Sequence, residues 1–396
     1  STICDRTLDL VCHRRSNHSC RNHRFRNLES QTQTCCFLNG RNEVNFVGIE
    51  QPRWKTPEYT KRQINNAGDV IRDENATEQE YAEALKIVDN WRSAHAYPLH
   101  VFYINLRRKA EAKPGILVAE RLKRLDSIVS KLQRENGMQL YRMQDIGGCR
   151  MILPTLDDVY AFSKDFQTSR IRHEWKKTND YIKDPKKSGY RSLHLIYKFK
   201  TDTPDKEIFN QYPMQIELQF RTHLQHIWAT ALETIGLFTN QALKAGQGNE
   251  AILRFFVVIS SLFAIKEGCP VCPGTVDDEL ELISEIEQLN DQHHILDMLR
   301  AIRVVIEKDG EKVPDKRGYY VLQLDYERHY LRRWFFKPSE LEKANGLYDY
   351  LEHQRGDKPL DIVMVRATSY ATVKAAYPNY FLDIGEFIEL VEQYLK

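Results

Sequence analysis

The sequence predicts an α/β fold: a mixed sheet with flanking helices over about Asn45 to Asn240, followed by a smaller α+β C-terminal module. Three observations predict it. Met214 to Phe220 alternates strictly, with Ile216, Leu218 and Phe220 on one side and Gln215, Glu217, Gln219 and Arg221 on the other. Ser192 to Phe199 alternates in the same way. On both sides of these strands apolar residues recur at helical spacing.

Taken in order, Arg53 to Asn65 opens the domain, and Tyr81, Leu85, Val88 and Trp91 make Glu78 to Trp91 a helix. A second helix covers about Pro98 to Leu106, its proline tolerated in the first turn. Leu117 to Leu132 reads as a third, with Leu122, Leu125, Ile128, Val129 and Leu132 on one face. Met151 to Leu153 is a short strand and Leu156 to Phe166 a helix. Beyond the alternating strands, Thr222 is placed to cap a helix whose apolar face is Leu224, Ile227, Ala231 and Ile235. Ala242 to Asn249 reads as a linker, Ala251 starts a hydrophobic helix, and Cys269 to Gly274 is a turn. Asp277 to Met298 reads as one acidic amphipathic helix, Tyr319 to Phe336 and Asp361 to Val365 as strands, and the end as a helix. The resulting units are 1–44, a disordered extension; 45–240, the main domain; 241–276, a linker or hinge; and 277–396, a second, regulatory module.

The 396 residues suffice for two or three cores, and a net charge of +2 predicts no polyanionic partner by itself. The distribution says more. Basic residues dominate Arg170 to Lys200, whereas Asp277 to Asp297 is acidic with no Lys or Arg, so the two stretches can attract each other. The longest apolar run, Phe255 to Ile265, is short of the ~20 residues that span a bilayer. Ser1 to Phe37 lacks the apolar core of a secretory signal, so a cytoplasmic location is expected. Cys4, Cys12, Cys20, Cys35 and Cys36 fit no zinc spacing. Cys269 and Cys272 form a lone C-x-x-C; zinc needs two more ligands, and the nearby His293 and His294 are adjacent, a poor arrangement for one ion.

Four segments carry chemistry. Asp180 to Tyr197, DYIKDPKKSGYRSLHLIY, sets Lys183, Lys186 and Lys187 before a turn at Gly189, presents Tyr190, and runs into a strand. Lysines at a glycine turn suit a polyphosphate, and a tyrosine offers a face for a base. Arg121-Leu-Lys123, read as helical, precedes Ser127. In Asp145-Ile-Gly-Gly-Cys-Arg150 the glycines leave room for a ligand, the carboxylate suits Mg²⁺, and the arginine suits a purine or a phosphate. Glu217, on the polar strand face, can orient or deprotonate a hydroxyl. Singly, each has a plainer role: Asp145 capping a turn, Arg150 a surface charge, Glu217 pairing with Arg221, and the loop a solvated hairpin.

In this order, RLKRLDSI, DIGGCRMI, DYIKDPKKSGYRSLH and IELQFRTHLQHIWA resemble the RelA/SpoT-type (p)ppGpp synthetase domain, over roughly Lys55 to Gly236. The resemblance implies a nucleotidyltransferase-like sheet and transfer of pyrophosphate from ATP to a ribose 3′-hydroxyl, with AMP leaving. It implies that Asp145 and Glu217 are catalytic and hold Mg²⁺. Arg121, Lys123, Arg150, Lys183, Lys186 and Lys187 would bind ATP, and Tyr190, His194, Lys176 and Lys177 the acceptor. No counterpart of the family's His-Asp hydrolase domain is found in the sequence.

The chain continues from 241 to 396, and near its end Tyr377-Pro-Asn-Tyr380 forms a YxxY. Behind a synthetase domain, this resembles fused toxin–antitoxin proteins of the CapRel type. That resemblance implies a toxin that pyrophosphorylates the 3′ CCA end of tRNA and blocks translation. It also implies masking of the ATP site by Tyr377 and Tyr380, and release by a phage capsid-type protein. The alternative is a synthetase of (p)ppGpp or (p)ppApp from free nucleotides, and a non-enzymatic nucleotide sensor is a third reading.

Overall fold

The computed structural model describes residues 36–38, 44–46, 54–135, 137–238, 250–303, 313–325, 330–355, 360–381 and 384–396. Most of the 1–44 extension and the Ala242 to Asn249 linker lie outside the described residues. Strands β1 (Cys36–Leu38) and β2 (Val44–Phe46) form a separate small hairpin.

Three helices lead into the main sheet: α1 (Lys61–Arg72), α2 (Glu78–Ala94) and α3 (Ala96–Ala110). Capping boxes start the first two, Thr60 with Gln63 and Thr77 with Glu80. The segment read as a third helix divides instead into β3 (Leu117–Leu122) and α4 (Leu125–Arg134). A short apolar run satisfies both periods, and here neighbouring strands on both sides satisfy the backbone of 117–122. Arg121 therefore stands on a strand, not a helix. Then follow β4 (Gly147–Leu153), α5 (Leu156–Thr168), β5 (Glu174–Asp180), β6 (Leu193–Lys198), β7 (Gln215–Thr222) and α6 (His223–Phe238). Thr222 caps α6 by accepting the Gln225 amide at 3.2 Å.

The apolar α7 (Glu250–Glu267) is followed by two helices where the sequence suggests one, α8 (Glu279–His293) and α9 (Ile295–Arg303). His294 breaks them by taking a left-handed conformation, while Asn290 Oδ1 accepts the Leu296 amide. Its position fits the tolerance of such residues for short polar caps. The acidic α8 makes ion pairs with α7, Glu285 with Arg254 and Glu279 with Lys266. The chain ends with β8 (Gly318–Asp325), β9 (Tyr330–Phe336), α10 (Leu341–Arg355), β10 (Leu360–Ala367), α11 (Tyr370–Ala376), a 3-10 turn at Pro378–Phe381, and α12 (Gly385–Tyr394).

The main sheet has eight strands in the order β5-β6-β7-β4-β3-β10-β8-β9. Only β4 and β7 run parallel; the other pairs are antiparallel. The C-terminal strands extend the sheet of the main domain, with β10 on the edge that β3 would otherwise leave open. One face of the first half packs against α1 to α5 through Leu195, Tyr197, Met151, Ile216, Leu218 and Phe220. The helices α6, α7, α8, α9 and α12 form a second core. Over the other end of the sheet, α11 covers one face and α10 the opposite one.

Candidate active site

Register decides which side chains meet. Arg121, Gly148, Glu217, Ile196 and Lys177 sit opposite one another on successive strands, and Ala119, Arg150, Gln219, His194 and Asn179 form the next row. Directly paired residues share a face, so the first half of the sheet presents Arg121, Arg150, Glu217, Gln219 and His194 together. The two glycines of the DIGGCR segment do different things. A Cβ at Gly147 would lie 2.7 Å from Ile216 Cδ1 on the packed face, whereas one at Gly148 would make only ordinary contact on the site face. Gly148 thus leaves space between Arg121 and Glu217.

Asp145 lies just before β4. Its oxygens accept from Lys123 Nζ at 2.8 Å and Lys131 Nζ at 3.1 Å. Burial pushes this carboxyl up, but the two ammonium groups outweigh it and hold it well below the usual carboxylate range. Lys131 was not singled out by its sequence. The signal was available: Ser127 and Lys131 are one turn apart on the polar side of α4, opposite Ile128 and Leu132.

Glu217 anchors a chain of hydrogen bonds. Its Oε1 is 3.0 Å from His194 Nδ1, and its Oε2 accepts from Gln219 Nε2 at 2.6 Å. His194 Nε2 lies 3.0 Å from the Tyr190 hydroxyl. A carboxylate only accepts, so Nδ1 carries the proton, and in the neutral ring Nε2 accepts from Tyr190. Burial raises the Glu217 carboxyl, and His194 and Gln219 more than reverse this; the nearby Asp145 charge opposes them. Each oxygen keeps a free lone pair for an incoming hydroxyl.

The lysine loop turns at Gly189, whose φ is +87°. A Cβ there would strike Trp228 at 2.8 Å, so glycine is required for conformation and for space. Tyr190 is not a freely exposed tip. It is half-buried, lies edge-on to Tyr181 and His194, and burial pushes its hydroxyl up to about 12. Lys186 lies over the rings of Tyr181 and Tyr190, 4.3 and 5.3 Å from their centroids. Lys183 sits over Tyr160 at 4.9 Å, and Lys187 is exposed. Lys176 and Lys177 lie further out, on the edge strand β5. Cys269 and Cys272 accept from the Arg191 guanidinium at 3.8 and 3.4 Å. Among the described residues no group of three or more His, Cys, Asp or Glu is arranged to hold a metal.

Tyr377 ends α11 and is 1% exposed. Its ring centroid lies 5.1 Å from the Arg150 guanidinium carbon and 5.8 Å from that of Arg121. Two carbonyls at the end of α11 are gripped as well: Arg150 Nη1 donates to Ala376 O at 2.9 Å, and His226 Nε2 lies 2.7 Å from Ala375 O. Arg221 donates to His226 Nδ1, which leaves Nε2 as the protonated nitrogen. Burial, with Arg221 and Arg150 beside it, pushes His226 well below the ordinary histidine range. The side chain of Tyr380 lies outside the described residues.

Residues 120–236 match the model of the region found in RelA/SpoT proteins. Over these residues the chain is similar to the region found in RelA/SpoT proteins. It is 32% identical over 121 residues to the GTP pyrophosphokinase YjbM of Bacillus subtilis (strain 168), covering 30% of this chain and 54% of that protein. It is 26% identical over 186 residues to the GTP pyrophosphokinase of Escherichia coli (strain K12), covering 46% of this chain and 21% of that one. The chain spans about half the length of the Bacillus relatives it matches, 54% and 52%. A crystal structure of the small alarmone synthetase 1 from Bacillus subtilis bound to its product pppGpp aligns with 20% identity and a TM-score of 0.33, over 53% of this chain and 94% of that one. Arg121, Asp145, Arg150, the lysine loop, His194 and Glu217 all fall inside the matched region, and Tyr377 falls outside it.

Proposed function

We propose that this chain is an ATP-dependent pyrophosphokinase that modifies the 3′-hydroxyl of tRNA CCA ends and is held inactive by its own C-terminal segment. The observation that carries this reading is the Glu217–His194–Tyr190 chain beside Asp145, with Tyr377 covering the neighbouring arginines. The acceptor hydroxyl attacks the β-phosphorus of ATP, the bond from that phosphorus to the α–β bridging oxygen breaks, and AMP leaves. Glu217 orients the hydroxyl and takes its proton. His194 stabilises the carboxylate, which fixes its tautomer, and Tyr190 holds the ring by donating to Nε2. Lys123, Lys131 and the loop lysines neutralise phosphate charge.

The residues fit Mg²⁺, which binds through one or two carboxylates plus substrate phosphates. Asp145 and Glu217 are the carboxylates we assign to it, both held ionised. The ion would supply charge neutralisation on the transferred pyrophosphate. Lys123 and Lys131 would then turn from Asp145 to the phosphates.

Tyr377 occupies the space between Arg121 and Arg150 where a purine would stack, and the carbonyls of Ala375 and Ala376 take up donors that a nucleotide would use. The plug is replaceable. Arg150 Nε, Arg221 Nε and the Tyr377 hydroxyl are buried without a hydrogen-bond partner among the described residues. A trigger, by the resemblance a phage capsid-type protein, would bind the open state more tightly than the closed one. Toxicity would then follow from blocked translation.

A second reading has its own support: the curated relatives are GTP pyrophosphokinases, which favours synthesis of (p)ppGpp or (p)ppApp from free nucleotides. Incubating the full chain and its Tyr377→Ala variant with γ-labelled ATP and either tRNA or GDP/GTP separates the two. Label on tRNA is expected; label on free nucleotides alone overturns the tRNA reading.

A further inference from the structure

We infer that the open edge of the sheet, β5 with the adjoining end of β6, is a docking surface for an RNA acceptor, lying outside the pocket that Tyr377 covers. This rests on the reading of tRNA as acceptor. Among the described residues, the large hydrophobic side chains standing exposed are Trp175, Val276 and Leu280, and the single aromatic is Trp175, 53% exposed on edge strand β5. Its orientation is fixed. The indole N–H donates to Thr178 Oγ1 at 3.3 Å, an oxygen that also accepts from Gln167 on α5 at 3.0 Å. A ring presented in one orientation loses little freedom when a base stacks on it.

Cations line the same edge. Arg170, Arg172, Lys176 and Lys177 are exposed, and Lys198 and Lys200 half-buried beside them, against Glu174 and Asp202. Glu174 pairs with Lys176 and Asp202 with Arg172, both at 2.8 Å. The described ion pairs therefore leave Lys177, Lys198 and Lys200 available to an outside anion. The ladder register shifts between Trp175 and Lys177, so Trp175 falls opposite Tyr197 on one face and Lys177 opposite Ile196 on the other. Ile196 in turn faces Glu217. Two strand spacings, about 10 Å, thus separate Lys177 from the catalytic carboxylate on the same face.

Lysines on an edge strand also prevent strands of other molecules from pairing there. That accounts for the lysines and not for an exposed tryptophan, which promotes association. A second copy of this chain would bring the same six cations against each other. A polyanion with an unpaired base satisfies both features, its phosphates on the lysines and its base on the indole. Because Trp175 is exposed while Tyr377 fills the arginine pocket, the surface is accessible in the closed chain, and RNA capture precedes opening.

The test is binding of labelled tRNA to the full-length protein without ATP, read by anisotropy across a salt series. Trp175→Ala is expected to weaken binding roughly 5- to 100-fold, from the ~1–3 kcal/mol of one stacked base, and Trp175→Phe to keep most of it. Lys177→Ala with Lys198→Ala is expected to lower the slope of log K against log salt by about 2. If Trp175→Ala binds tRNA as the wild type does, or the wild type does not bind it, the inference fails. A change of mass in light scattering with unchanged RNA affinity assigns the surface to a second copy and also overturns it. The labelled-ATP assay fails separately: label on free nucleotides alone, with RNA binding still lost in Trp175→Ala, removes tRNA as acceptor and leaves the docking surface.

Discussion

The two halves of one sheet face differ sharply. Over β7, β4 and β3 the face carries Glu217, Gln219, Arg150 and Arg121; over β10 and β8, continuing the same rows, it carries Val363, Val365, Tyr320 and Leu322. Helix α11 lies at the seam. Val373 and Ala376 pack on the apolar half, while Tyr377 reaches the guanidinium groups of the polar half. Packing on the apolar half and contact with the arginines thus fall to different residues of one short segment, and on the proposed function the first anchors and the second masks. Apolar burial holds it, at about 1.5–3 kcal/mol for a side chain the size of valine, and only its last residues reach the guanidinium groups. Arg124 ties the halves together through Asp361 on β10.

The largest effect belongs to the polar half. Asp145→Ala and Glu217→Ala are each expected to lower transfer from labelled ATP by about 100-fold or more, with an unchanged circular dichroism spectrum. Near-wild-type transfer by either folded variant would remove that residue from the chemistry.

Next comes the seam. Tyr377→Ala deletes a buried ring and is expected to raise basal transfer roughly ten- to a hundredfold and to make expression toxic. Tyr377→Phe keeps the ring and removes a hydroxyl that has no hydrogen-bond partner among the described residues, so it should leave the protein closed. A folded Tyr377→Ala protein with unchanged basal activity would show that α11 does not mask the site.

A smaller effect comes from pH. In the closed form His226 is neutral, because burial and the facing Arg221, Arg150 and His223 all disfavour its cation. Its value is therefore depressed relative to an opened, solvated ring. The closed form keeps its full advantage above the ordinary histidine range and loses it as pH falls below about 6.5 toward the depressed value. Basal ATP binding by the full chain is expected to rise between pH 7.5 and 5.5, and His226→Gln to flatten that rise. A profile identical in the variant would exclude His226 as the group responsible.

Much of this was legible in the residue order. Strict alternation located β6 and β7, and the four motif segments, read by resemblance, brought Arg121, Asp145, Arg150 and Glu217 to one place. Local pattern failed where tertiary context chose between periods. Leu117 to Leu122 is apolar enough for helix or strand, and only the ladders from β4 and β10 decide it. The polar β5 carries almost no apolar alternation because it is an exposed edge. The passage of β8 to β10 into the same sheet could not be read at all, since antiparallel partners far apart in the chain leave no local trace. Lys131, His226 and Tyr190's inward turn depend on distances that spacing alone does not give.

The smallest expected effect sharpens the comparison between seam and surface. His223 lies one turn before His226 on α6, and it too contacts the C-terminal segment, with Nε2 2.6 Å from Glu386 Oε1 on α12. Both partners are about half exposed, so solvent screens the pair, and such pairs are worth about 0.2–1 kcal/mol. His226, itself buried, instead donates to the Ala375 carbonyl at the end of α11. His223→Ala should therefore shift the melting temperature and basal transfer within measurement error, while His226→Ala leaves the Ala375 carbonyl and Arg221 without their partner and raises basal transfer. Equal effects from the two variants would mean that closure is spread over α11 and α12 together, and the assignment of masking to the last turn of α11 would have to be given up.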